Sequence, residues 1–254
     1  MHAQVLTPVT SSLRRVMIAA FSLLAVSFMA ATVARAEAPA PAEGEAFIRD
    51  VADRAFAIIG DEGLDDAARR AQLKELMDRH VAMDYIAQLV LGRHARPADG
   101  LAPEDRARFN ADLAEYKSLF PQFIFNKLYD IIISKFKNAK VDVTGSSPVR
   151  NTDLFVHTRI ARPGQEAVLA DWRVRKDGKG EIKVIDVRAE GISLTITQRD
   201  EFASILGTGR NGLTPLLDHM RQNIATGGDA AAEEDGANEE GAAVEDGDAP
   251  ASAD

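Results

Sequence analysis

Apolar residues Phe47, Val51 and Ile58 recur at helical spacing through residues 45–59, and Gly60-Asp61-Glu62-Gly63 closes that pattern. A second helix is predicted over residues 67–79, with Leu73, Leu76 and Met77 on one side and Asp65 or Asp66 as its cap. A third, over residues 83–91, presents Ile86, Leu89 and Val90, and Gly92 stands where a helix stop belongs. Pro103, followed by Glu104 and Asp105, opens the longest periodic stretch, which carries large apolar residues from Phe109 to Phe136. Pro121 falls inside that stretch and predicts a kink or break near Phe120.

From Lys140 the period changes from helical to two. Residues 141–144 form a short alternating run. Leu154, Val156, Thr158 and Ile160 then alternate with Phe155, His157 and Arg159, and Val168, Ala170, Trp172 and Val174 with Asp171, Arg173 and Arg175. Arg162-Pro163-Gly164 and Asp177-Gly178-Lys179-Gly180 are turn sequences between such runs. Ile182, Val184 and Asp186 share the face of a fourth strand, and two more helices follow, over residues 194–206 and 213–224. Helices, then an antiparallel meander, then helices predict an α+β fold, a curved sheet of about four strands with helices covering one face. Glu190-Gly191 makes a corner and Ser193 caps the helix after it. Ile192, Leu194, Ile196 and Phe202 are expected to lock that helix onto the sheet.

The two ends alter this picture. Arg14 and Arg15 precede an apolar run that reaches Ala34-Arg35-Ala36, the order of an export signal, so residues 1–36 are expected to be removed and the mature chain to begin at Glu37. An uncleaved anchor is the competing reading of the same run. Residues 226–254 hold ten acidic side chains and no Lys or Arg, a composition that cannot offset chain entropy and predicts a disordered tail. The chain as a whole has net charge −9, but the body, residues 37–225, is close to neutral and has no basic stripe, which argues against nucleic acid as a partner. The chain has no cysteine, which excludes disulfides and thiolate catalysis.

Candidate chemistry is sparse. Gly207-Thr208-Gly209-Arg210-Asn211-Gly212 has the letters of a dinucleotide loop, but a helix precedes it where a strand is required, so no cofactor is expected. Gly191-Ile192-Ser193-Leu194-Thr195 lacks the second glycine of a nucleophile elbow. His80, His94, His157 and His219 have no metal-ligand spacing, and no catalytic or metal residue is assigned. What remains is an apolar excess, Phe123-Ile124-Phe125 and Ile131-Ile132-Ile133, on more than one side of the long helix. Such a helix is buried in a core or faces something apolar on its second side, and on these residues alone plain core packing is the simpler account.

The run from Asp84 through Leu91-Gly92-Arg93, the segment from Phe109 to Tyr116, Val184-Ile185-Asp186-Val187, Glu190-Gly191-Ile192-Ser193-Leu194, Arg199 and the Glu201 to Leu206 segment resemble the MlaC family of toluene-tolerance proteins, from about Phe47 to Ile224. Asp171-Trp172-Arg173 and Thr197-Gln198-Arg199 are closer to its hopanoid-associated HpnM branch. Many members carry Trp where this chain has Ile182, which bears on pocket shape and lipid identity. The resemblance implies a periplasmic lipid-binding shuttle with a deep apolar pocket. Its ligand would be a phospholipid or a hopanoid, and its partners an inner-membrane ABC transporter complex and an outer-membrane lipoprotein complex. The alternatives are a hopanoid carrier of the HpnM type, an envelope adaptor without transport, and a carboxylate hydrolase. With a pocket implied, helical and strand phases nominate Phe123, Leu128 and Ile132 from the long helix and Trp172, Val174 and Val184 from the facing strands as lipid-binding residues.

Overall fold

Pro41 supplies a preset φ and its neighbour Glu43 accepts from the Ala40 N–H at 3.0 Å, so the first helix, α1 (Pro41–Gly60), starts one turn before the apolar periodicity shows it. The computed structural model describes residues 37–207 and 212–227. The segment expected to be an export signal (1–36), all but the first residues of the acidic tail expected to be disordered, and the centre of the glycine-rich turn lie outside the described residues. α2 (Asp66–His80) is capped by Asp65, whose carboxylate accepts from Ala68 N–H at 2.7 Å. α3 (Met83–Leu91) stops at Gly92, which takes φ +54°, and a single 3-10 turn (Gly92–Ala95) leads away from it. No helix among the described residues is long and apolar enough to cross a membrane.

α4 (Pro103–Phe136) runs through Pro121 without the break that proline predicts. A proline inside a helix costs about 3 kcal/mol through the lost hydrogen bond and the crowded carbonyl one turn back. Phe120, Phe123 and Phe125 are all buried around it, and each contributes about 2 kcal/mol of burial, which outweighs that cost.

The sheet contains β1 (Lys140–Val149), β2 (Asp153–Ala161), β3 (Val168–Lys176), β4 (Ile182–Ala189) and the two-residue β5 (Ile192–Ser193), antiparallel and in sequence order. It thus has five strands where the alternation shows four, because β5 is too short to alternate. β1 is longer than its alternating run. Gly145-Ser146-Ser147-Pro148 has the composition of a turn, yet pairing resumes beyond a bulge between Val143 and Gly145, where Gly145 takes φ +144°. β1 is an edge strand, so Pro148 can sit in it with its missing N–H away from the ladder. Glu190 and Gly191, both at positive φ, form the tight turn between β4 and β5.

α5 (Leu194–Leu206) and α6 (Thr214–Thr226) close the chain. Ser193 caps α5 by accepting from Ile196 N–H at 3.1 Å. The four apolar residues expected to lock α5 to the sheet divide differently: Phe202 is fully buried, but Ile192, Leu194 and Ile196 are exposed. The helix is held by its far half, where Phe202 and Leu206 enter a core with Tyr116, Phe120, Phe123 and Leu217. At its start Asp186 does the fixing, accepting from Ser193 Oγ at 2.7 Å and from Thr195 N–H at 3.1 Å. α1 lies on β1 and β2, α3 and α5 flank β4, and α4 packs chiefly on α6 and α3, reaching the sheet where Phe136 meets Ile160 and Ala170.

Candidate functional site

The inner face of the sheet is apolar because alternation sends Leu154, Val156, Trp172 and Val174 to one side. A bulge in β4, where the β3 partners step from Asp186 to Val184, brings both Val184 and Val187 to the same side, and Ile48 and Phe47 of α1 and Val81 cover them. Gly44 sets how closely α1 approaches. A Cβ at that position would stand 2.4 Å from Leu154 Cδ2, so the helix rides on the sheet with no side chain between. Trp172 is half-buried, and its indole N–H donates to Thr158 Oγ1 at 2.9 Å, which in turn donates to the Ala170 carbonyl. The indole edge is thereby pinned while its body remains against apolar neighbours.

Of the six residues nominated from the sequence, the fold brings Trp172, Val174 and Val184 together in this cluster. Phe123 lies in the helical core, its ring 5.6 Å from that of Phe202 and 5.7 Å from that of His219. Ile132 packs in a third cluster with Ile59, Leu73, Phe125 and Tyr129. Leu128 is half-buried and joins none of these groups. Nine residues on a helix of 3.6 per turn amount to about two and a half turns, a half-turn offset, so Phe123 and Ile132 point to opposite sides of α4 and cannot share one wall.

The outer face is polar and tightly paired. Asp153 is fully buried and accepts from Arg173 Nε at 2.8 Å and from Arg175 Nε at 2.5 Å. Burial pushes its pKa up, but the hydrogen bonds from Arg175, Arg173 and Thr152 outweigh this and hold the carboxyl below its usual range. Arg175 also covers the Tyr85 ring and Arg188 the Phe155 ring, at 4.8 and 4.4 Å. His157 joins Ser147 through Nε2 at 2.9 Å and Asp171 through Nδ1 at 2.7 Å. The order of groups is that of a serine hydrolase triad, which sequence reading missed because the three sit on three different strands. The chain lies along a strand surface and lines neither of the two recesses described next.

One recess, of about 490 Å³, opens between α3 and α4 and is lined by Leu89, Leu91, Ala95 and Leu113 with Arg96 and Lys117. The other, of about 400 Å³, lies where Val81 and Met83 meet Asp78, Asp84, Asp177 and Lys183. Tyr116 lines the first, and its hydroxyl donates to the Ala87 carbonyl at 2.9 Å; burial pushes that phenol's pKa far up. His94, on the turn that bounds it, has a pKa lowered by burial and by Arg93. Among the described residues no group of three or more His, Asp or Glu side chains is placed to hold a metal ion.

Compared with known families, the MlaC protein family matches residues 49–222. The chain belongs to the MlaC family. The fold agrees: the phospholipid-binding protein of Ralstonia solanacearum, solved in complex with a phospholipid, superposes with a TM-score of 0.56 at 20% identity, over 72% of this chain and 97% of that one. At that identity the likeness establishes the MlaC-type architecture, a five-stranded open sheet with flanking helices.

Proposed function

We propose that this MlaC-family chain is a periplasmic lipid carrier that binds a phospholipid and moves it between the two membranes of the cell envelope. The observation that carries the reading is the family match over residues 49–222, joined to a fold shared with a protein that holds a phospholipid. The physical need is large: two acyl chains of roughly 30 methylenes oppose exposure to water by on the order of 20 kcal/mol. A lipid crosses an aqueous gap only inside a protein that keeps those chains dry. The binding region in this reading is the inner face of the sheet, where Trp172 and Val187 are half-buried. Carriage calls on no nucleophile, and the protein acts here as a binding protein and not as an enzyme. Export through residues 1–36 would deliver it to an inner-membrane ABC transporter complex and an outer-membrane lipoprotein complex.

The test is organic extraction of the purified chain followed by mass spectrometry. Co-purified phospholipid near one per chain is the expected result. A hopanoid in its place would assign the chain to the HpnM-type activity, and a protein that neither retains lipid nor takes it from vesicles would overturn the reading. The mass of the exported protein reports whether the chain begins at Glu37.

A further inference from the structure

We propose that the recess between α3 and α4 is a separate lipid site, selective for an amphiphile with one acyl chain and an anionic head. Its walls arise from two helices that meet through Ala87, Val90, Leu91, Tyr116 and Phe120 and leave a recess beside that contact. Tyr85, Gln88 and Leu89 line it from α3 with Gly92 at the C-cap, and Leu113, Tyr116 and Lys117 recur on α4 at i, i+3 and i+4. Gly92 brings no side chain, and a Cβ there would meet only the Arg199 side chain, at 3.8 Å. Ala95 fills little of the gap beside it. The result is a half-open recess of about 490 Å³, apolar along Leu89, Leu91, Ala95 and Leu113 and polar at Gln88, Arg96 and Lys117, in which Leu89, 39% exposed, has no protein surface against it on one side.

Size selects one chain. A water molecule's share of volume is about 30 Å³ and a methylene takes a similar space, so the chamber holds roughly sixteen carbons, well short of a two-chain lipid. Charge selects the head. The lining includes Arg96 and Lys117 and no carboxylate, and neither cation has an acidic partner within ion-pair reach among the described residues. Tyr116 spends its hydroxyl on Ala87, leaving only its ring to the chamber. A recess with an apolar wall and two unpartnered cations in its lining matches an acyl chain that ends in a fatty-acid carboxylate or in the phosphate of a single-chain phospholipid. The site uses none of the inner-face residues and stands independently of the carrier reading.

Binding of palmitate, lysophosphatidylglycerol and neutral monopalmitin to the delipidated full chain, measured by calorimetry, tests this. Palmitate, lysophosphatidylglycerol or both are expected to bind at one per chain, the tighter of the two naming the head as carboxylate or phosphate, with monopalmitin weaker than either. Ala95→Trp fills the chamber and is expected to abolish binding. Arg96→Glu with Lys117→Glu, both on exposed positions, is expected to weaken the anionic ligands by at least about tenfold and leave monopalmitin unchanged. Equal affinity for charged and neutral ligands, or binding that survives the double charge reversal, would overturn the proposal. Should Ala95→Trp fail to fold, the charge-reversed protein decides alone. The lipid recovered by extraction of the native protein is unaffected by these variants, so failure here and failure of the carrier reading are told apart.

Discussion

Asp153 and Leu154 are neighbours in the chain and both fully buried, yet they belong to opposite faces of the sheet and are held by different physics. Leu154 packs against Val156, Val174 and α1, in a layer whose stability is additive apolar area and which tolerates small shifts in position. Asp153 is a charge out of water, tolerable only because Arg173 and Arg175 both reach it. The apolar face is therefore the one that can open to admit a guest. The polar face, with Asp153, Asp186 and His157 each bonded to at least two partners, is the one that keeps the strands in register while it does so.

The sharpest way to break that contrast is Asp153→Ala, which leaves two guanidinium groups facing each other without a carboxylate and is expected to cost about 4 kcal/mol in urea unfolding at pH 7. A loss below about 1 kcal/mol would mean the pair is solvated and the two faces are alike. Because the folded-state pKa of Asp153 is depressed, its contribution is present above the unfolded carboxylate pKa of about 3.9 and is lost as pH falls through the lower folded value. The penalty of Asp153→Ala should accordingly shrink as unfolding is repeated at successively lower pH from about 4 downward.

On the apolar side, Leu154→Ala is expected to cost about 3 kcal/mol, and Gly44→Val, whose Cβ collides with that same leucine, about 2 kcal/mol. The two together should cost less than their sum, since the truncated leucine makes room for the valine; strict additivity would show that α1 does not rest on Leu154. Ser193→Ala removes the cap of α5 and one partner of Asp186, for an expected loss of about 1 kcal/mol seen as a lowered thermal midpoint. The smallest effect is expected at Ser147: a fluorophosphonate probe should leave it unlabelled over hours, because the hydroxyl lies along a strand with no recess to hold a substrate. Stoichiometric labelling that His157→Ala abolishes would make the polar face catalytic.

The sequence by itself determined what depends on neighbours within a turn or a strand step. Asp65 and Ser193 as caps, Gly92 and Gly191 at positive φ, the alternation of β2 and β3 and the order of helices around one antiparallel sheet are all local chemistry and appear as the sequence implies, whereas a bulge in β4 turns Asp186 away from the face of Val184 that it was expected to share. Tertiary structure decided where the two disagree. α4 survives Pro121 because partners distant in sequence bury the rings around it, and β1 outruns its alternation because β2 supplies the ladder beyond the bulge. Phe123 and Ile132 read as one stripe in a list of apolar residues, but the helix turns them apart and different elements claim each. The Asp153 clamp, the Ser147-His157-Asp171 chain and the chamber between α3 and α4 join residues whose spacing in the sequence carries no signal. Each arises from strand register or helix separation, which is set by the packing of the whole chain and not by any segment of it.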